Sequence, residues 1–230
     1  MKNFHDARSG RGMLKENPAA ASGERPGAGA LVAYFGYGSL VNRATLRTDI
    51  VDMVPARLVG WRRCWRPRPD MPGFPAALLT VRREPGACCD GVLILDRAEN
   101  LASVDAREAR YRRIPLSDAE LEFPRALGAD VATYVYEADP DLPPHREPPL
   151  ILQSYLDAVM QGFLHMHGEE GLRRFFVETE GFETPMLIDR ATPAYPRAVA
   201  LSAAEAALFD RICEEHGCSQ IPPGPSSILP

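Results

Sequence analysis

The sequence predicts an α+β protein built on a mixed sheet or small barrel with helices beside it. Three observations carry that prediction. Strand-like apolar runs crowd the first half, and helical periodicity dominates the second. A glycine turn, Gly36 then Gly38, cuts off the first apolar run, as happens where a buried strand ends against something close. The chain carries 22 prolines, many in loops and near the ends, which argues against an all-helical bundle.

In order along the chain, residues 1–29 are rich in Gly, Ala, Pro, Ser and charge without a sustained period. They read as a disordered leader with no apolar core of signal-peptide type. Residues 32–35 form the first strand. Residues 54–65 alternate loosely through Leu58, Trp61 and Trp65 and read as a strand bent at Gly60. Residues 67–75 are a proline-punctuated loop, and 76–81 and 91–95 are two short apolar strands. Asp96 and Glu99 have capping-box spacing ahead of a helix on which Leu101, Val104, Asp105 and Glu108 share or border one face. Residues 131–136 are a further strand, and 139–149 a proline-rich connector.

The clearest helix is 151–167, with Ile151, Leu152, Tyr155, Val159, Phe163 and Met166 at helical spacing. Residues 171–177 form a shorter helical piece. Ser202 and Glu205 make a second capping box, opening a helix that runs to about Glu215 and stops at Gly217. The division expected from this is a leader 1–29, a core 30–148, a helical extension 149–217 packed on it, and a tail 218–230.

At 230 residues the chain fits one domain with additions, or at most two small ones. A net charge of −5 and a pI near 5.6 favour no nucleic-acid partner. No apolar run reaches the length that spans a bilayer, so no membrane partner is expected. The five cysteines are odd in number, and Cys88 and Cys89 are adjacent. They form no disulfide framework, and a cytoplasmic location is the natural reading.

The chemistry concentrates in Tyr34-Phe35-Gly36-Tyr37-Gly38-Ser39-Leu40. Glycines here allow positive φ and inward-turned N–H groups, forming a nest for a carboxylate or a developing oxyanion. The alternative is a turn required only by packing. It is not a Walker A loop, a dinucleotide fingerprint or a nucleophile elbow. Glu108, a carboxylate ending an apolar stripe, is the candidate acid/base, since burial raises a carboxyl's pKa toward the range where it both takes and returns a proton. The plainer alternative pairs Glu108 with Arg112 at i,i+4 on a solvated helix face. Arg110, Arg112 and Arg113 form a basic run, solvated or set against substrate carboxylates. Cys213, His216 and Cys218 cluster without an evident fourth ligand, so no metal is expected. His165 and His167 point to different faces.

Taken together, the glycine loop, Gly91-Val92-Leu93, Val104-Asp105-Ala106-Arg107-Glu108 and Tyr111-Arg112 resemble the γ-glutamylcyclotransferase-like superfamily. The resemblance is nearest to its glutathione-specific ChaC-type and AIG2-like branch. Order and spacing agree over residues 31–136. The resemblance implies a small β-barrel with flanking helices. It also implies that Tyr37, Gly38, Ser39 and Leu40, with Tyr111 and Arg112, hold a γ-glutamyl group. Glu108 would be the acid/base, and no cofactor would be needed. The implied reaction closes a γ-glutamyl amine or peptide to 5-oxoproline and releases the amine. The chain departs from the branch pattern in having only Ala109-Arg110 where that pattern has a glycine pair. It also carries an added helical region at 151–209. A non-catalytic small-molecule binding module and a helical interaction protein built on 151–167 are the competing readings.

Overall fold

In the computed structural model, residues 29–67, 76–124, 127, 128, 130–141 and 148–223 are described. The expected leader up to residue 28, the 68–75 part of the proline loop, the 142–147 part of the connector and the tail from 224 lie outside them.

The fold is α+β, a curled mixed sheet with helices against it. Strand β1 (Leu31–Gly36) is its centre and is buried along most of its length, as a continuous apolar run requires. It pairs antiparallel with β3 (Ala77–Arg97) on one side and parallel with β6 (Ala132–Ala138) on the other. Strand β4 (Tyr111–Pro115) flanks β6, and β2 (Asp52–Pro67) flanks β3. The main path ends on the short β5 (Leu121–Glu122) beyond β2.

The expected bend at Gly60 is a register shift in the β2–β3 pairing between Val59 and Trp61, with Gly60 at φ 81°. The two short strands expected at 76–81 and 91–95 are instead the two ends of β3. Pairing with β2 holds the backbone on both sides of the polar middle, up to Arg83 and again from Cys88, where apolar patterning gives no strand signal. The expected Asp96–Glu99 capping box does not form. Asp96 ends up fully buried in β3 and accepts from the Tyr34 hydroxyl at 3.1 Å and Asn100 Nδ2 at 2.7 Å. Helix α1 (Leu101–Arg107) starts after Asn100 without a side-chain cap.

The expected 151–167 helix begins two residues later. Ile151 and Leu152 form β7, which pairs parallel with β9 (Met186–Leu187). Helix α2 (Gln153–Val177) joins both expected helical pieces through a kink at Gly168, where φ is 69° and ψ −176°. Every residue from Gln153 to Phe163 is buried, the polar Gln153, Ser154, Asp157 and Gln161 included. After α2, β8 (Thr179–Glu180) adds to β2. Helix α3 (Ala203–Glu215) opens on the expected Ser202–Glu205 capping box and is followed by Gly217 at φ 67°; β10 (Gln220–Ile221) then pairs with β9. One hydrophobic cluster runs from Ala33 and Phe35 through Leu79 and Leu93 to Phe163, Phe175 and Phe209, so sheet and helices share a core. Among the described residues, no helix is long and apolar enough to cross a membrane.

Candidate active site

Strand β1 delivers the glycine loop to the concave face. Ser39–Val41 form a single 3-10 turn, closed by Val41 N–H donating to Gly38 O at 2.9 Å and Asn42 N–H to Ser39 O at 3.1 Å. The N–H groups of Ser39 and Leu40 open that turn and have no acceptor within it, the usual state of a helix start.

The glycines are needed for close approach rather than for the positive φ expected of them. Neither Gly36 nor Gly38 is among the positive-φ glycines, and Gly38 sits at φ −121°. A Cβ on Gly36 would meet Leu40 Cβ at 2.9 Å, and one on Gly38 would meet the Tyr155 hydroxyl at 3.0 Å. The loop is therefore pressed between β3 and α2. Helix α2 also grips its far end: Asn42 Nδ2 donates to Ala158 O and to Gln161 Oε1, each at 2.9 Å.

Tyr37 is buried, and its hydroxyl donates to Tyr136 O at 2.5 Å. Burial raises its pKa well above the usual phenol value, and Tyr111, Glu108 and Tyr155 push it the same way. Leu40 is buried in the core. Tyr111 donates its hydroxyl to Leu79 O at 2.9 Å, on the same residue that packs under Gly38.

Glu108 follows the last residue of α1, and its side chain is 16% exposed. Helix α1 ends at Arg107, so the i,i+4 helical pairing with Arg112 has no helix to carry it. Glu108 Oε1 instead lies 3.1 Å from Arg107 Nε. The same guanidinium donates to Ser39 Oγ at 3.2 Å and Thr45 O at 2.9 Å. Arg107 thus ties the glycine loop to the carboxylate. The Glu108 charge also helps raise the Tyr155 pKa, after burial and Tyr195.

Arg112 does not join this group. It faces Glu137 across the β4–β6 pair at 3.1 Å with its side chain 46% exposed, because strand alternation sends it to the face opposite Tyr111. The structure therefore brings together Tyr37, Gly38, Ser39, Leu40, Glu108 and Tyr111 and leaves Arg112 outside.

Sequence reasoning missed three residues. Tyr155 was absorbed into a core stripe, and Arg107 stood in a motif without a role. Arg63, on β2, is fully buried. Its guanidinium donates to Asp90 O and Thr179 Oγ1, each at 2.7 Å, lies 3.4 Å from Tyr37 O and stacks on Phe163 and Phe175. Burial lowers its pKa against the pull of Cys89, Glu178 and Asp90. A buried arginine bonded to groups on β3, β8 and the glycine loop is a long-range feature with no local signature.

His165 meets Glu205 at 3.2 Å, whereas His167 Nε2 meets Gly91 O at 2.7 Å, so the two do point apart. Among the described residues, no group of three or more His, Cys, Asp and Glu is arranged to hold a metal ion.

Fold and site together define an α+β protein whose first strand presents a backbone turn beside a half-buried carboxylate. Several solved structures are similar to it. One is a gamma-glutamyl cyclotransferase, 14% identical, with a TM-score of 0.49, covering 79% of this chain and 99% of that one. An uncharacterized human protein is 17% identical, with a TM-score of 0.44 over 79% and 98% of the two chains. A yeast gamma-glutamyl cyclotransferase specific to glutathione is 15% identical, with a TM-score of 0.40 over 80% and 96%. No family model and no curated protein matches the chain. Likeness at this level names what the chain is similar to and assigns no residue a role.

Proposed function

We propose that the chain is a γ-glutamylcyclotransferase-type enzyme that closes a γ-glutamyl amine or peptide to 5-oxoproline. One observation carries the reading: Arg107 bonds Ser39 of the turn and pairs with Glu108, so an anion-seeking backbone and a carboxylate share one anchor. The family resemblance of the motifs supports the same assignment.

The reaction is internal to the substrate. The γ-glutamyl α-amino nitrogen attacks the side-chain amide carbon, a new C–N bond closes the five-membered ring, and the original amide C–N bond breaks. Glu108 takes the proton leaving the attacking nitrogen and returns it to the departing one, so no net proton is gained or lost. The Ser39 and Leu40 N–H groups face the oxyanion or the substrate carboxylate. Holding the chain folded for attack supplies much of the rate, since the nucleophile is already attached. Tyr155 and Tyr111, both beside Gly38 through Leu79, form the wall against which the γ-glutamyl chain lies.

The test is Glu108→Gln, which keeps the shape and an acceptor oxygen but cannot carry a proton at neutral pH. The expected result is a loss of 5-oxoproline release of about 10²–10⁴-fold with an almost unmoved thermal midpoint. A panel of γ-glutamyl amines, γ-glutamyl dipeptides and glutathione identifies the departing group. Failure of the parent to release 5-oxoproline from any of them removes the activity. An undiminished rate in the variant removes Glu108 from it.

A further inference from the structure

Two of the five cysteines meet at the end of α3, and their chemistry is independent of the activity proposed above. Gly217, at φ 67°, turns the chain back there. Its N–H donates to Glu214 O at 3.0 Å, and the N–H of Cys218 donates to Cys213 O at 2.9 Å. This pair of bonds is a Schellman cap, in which the side chain after the glycine packs back on the last turn of the helix. Here both packed side chains are cysteines. Cys213 belongs to the hydrophobic core, half-buried Cys218 packs on that core, and both are free thiols hydrogen-bonded to each other. His216, which clusters with them in the sequence, instead stacks on the Phe176 ring at 4.7 Å between centroids, so the site presents a pair of sulfurs and not a ligand set.

The shared hydrogen bond divides the pair into unlike halves. It raises the pKa of Cys213, and burial and the charges of Asp157 and Asp210 raise it further. The same bond lowers the pKa of Cys218 against the effect of burial. Cys218 is thus the thiolate of the pair, and Cys213 the thiol that supports it. Cys218 is also the reachable one, since it lines a cleft of about 780 Å³ between the start of α2, the segment after β9 and the end of α3. The 2.9 Å backbone bond between the two residues holds their Cα atoms near each other, as a disulfide requires. Cys88 and Cys89 lack that arrangement, because neighbours on β3 point to opposite faces.

We propose that Cys213 and Cys218 form a redox-active dithiol that a small organic disulfide closes to an intramolecular bridge. The Cys218 thiolate attacks one sulfur of R–S–S–R, forming a mixed disulfide and expelling R–S−. The Cys213 sulfur, losing its proton, then attacks the Cys218 sulfur and expels the second R–S−. The protein gives up two protons and two electrons, and the reagent takes them up as two R–SH. Closed, the bridge ties the end of α3 to the stretch that enters β10.

The experiment takes the reduced full chain and 2-hydroxyethyl disulfide, a reagent without a γ-glutamyl group. Trypsin cuts after Arg211 and nowhere beyond it, so residues 212–230 leave as one peptide holding both thiols. After blocking with iodoacetamide, that peptide is expected to be two hydrogens lighter and to carry neither a mercaptoethanol adduct nor an alkyl group. Dithiothreitol should reverse the change. Early in the time course a transient adduct is expected on Cys218, located by fragmentation. Cys213→Ser should stop at that adduct, and Cys218→Ser should leave Cys213 unmodified. In a fixed redox buffer, the ratio of disulfide to dithiol is expected to be at least about tenfold higher in the folded chain than in denaturing urea, because the fold holds the sulfurs in bridging geometry. The time course and the urea comparison use the parent alone, so they decide the matter even if a variant does not fold. Thiols that only fill the cap would stay reduced. The proposal is overturned by a folded parent that stays reduced or accumulates the adduct, by a first adduct on Cys213, or by a ratio that urea leaves unchanged.

Discussion

Glu120 shows what one carboxylate does when donors surround it. Oε1 accepts from Trp61 Nε1 at 2.9 Å and Arg83 Nη1 at 2.7 Å, and Oε2 accepts from Ser117 N–H at 3.0 Å and Ser117 Oγ at 2.8 Å. Burial alone would raise its pKa, but these bonds and the Arg83 charge bring it down to about 2 from an ordinary 4.5. A folded-state value below the unfolded one stabilises fully above about pH 4.5. That stability is lost as pH falls toward 2. Glu120→Gln is therefore expected to lower the thermal midpoint at pH 7 and to flatten its fall between pH 4.5 and 2. Solvent screening keeps the contribution on the order of 1–2 kcal/mol. A midpoint that drops equally in parent and variant across that window would show that Glu120 carries no pH-linked stability. Single residues were unevenly legible in the sequence. Glu108 could be picked out because a carboxylate ending an apolar stripe is locally odd. Arg107 and Arg63 could not, because their partners lie 68 and 116 residues away along the chain, at Ser39 and Thr179.

At the scale of elements, local signals were readable where both partners sit within one turn. The Ser202–Glu205 box forms because Glu205 N–H reaches Ser202 Oγ at 3.2 Å while Ser202 N–H reaches Glu205 Oε2 at 2.7 Å. The Asp96–Glu99 pair has the same spacing and fails, since Tyr34, 62 residues away, takes the Asp96 carboxylate into the core. Gly162 within α2 carries no local meaning either, yet it governs how close the helix comes to the glycine loop. A Cβ there would lie 2.6 Å from Asn42 N and 2.8 Å from Val41 C, both backbone atoms with little room to yield. Helix propensity alone says that Gly162→Ala stabilises by about 1 kcal/mol. Overpacking against backbone says the reverse, a loss of about 1–3 kcal/mol. The close approach decides: the variant is expected to be less stable in urea, and 5-oxoproline release is expected to fall as the turn is displaced. A stabilised variant would mean that α2 does not set the position of residues 38–42.

The whole molecule puts α2 inside the curl of the sheet. Tyr155, Leu156, Val159, Met160 and Phe163 are all within 6% of complete burial and belong to the same cluster as the strand residues Phe35, Leu79 and Leu93. Trp65 of β2 meets the Tyr155 ring at 5.8 Å, edge to face. Sheet and helix thus bury one shared cluster, and the first half of the helix, Gln153 to Phe163, is buried throughout. Sequence division into a core and a packed extension rests on the change from strand to helix patterning near residue 149, a change of element type that says nothing about which surfaces are shared. Sheet and helix are therefore expected to unfold as one unit. The chain offers a clean pair of reporters, because its two tryptophans, Trp61 and Trp65, both sit in β2 while α2 is the longest helix among the described residues. Urea transitions followed by tryptophan fluorescence and by far-ultraviolet circular dichroism at the helical band should coincide. Phe163→Ala, which empties part of the shared core, should move both midpoints together, at a cost of about 3–5 kcal/mol. If the helical signal in that variant were lost well before the tryptophan signal, α2 would be a separately stable layer, and a chain ending before β7 should then fold without it.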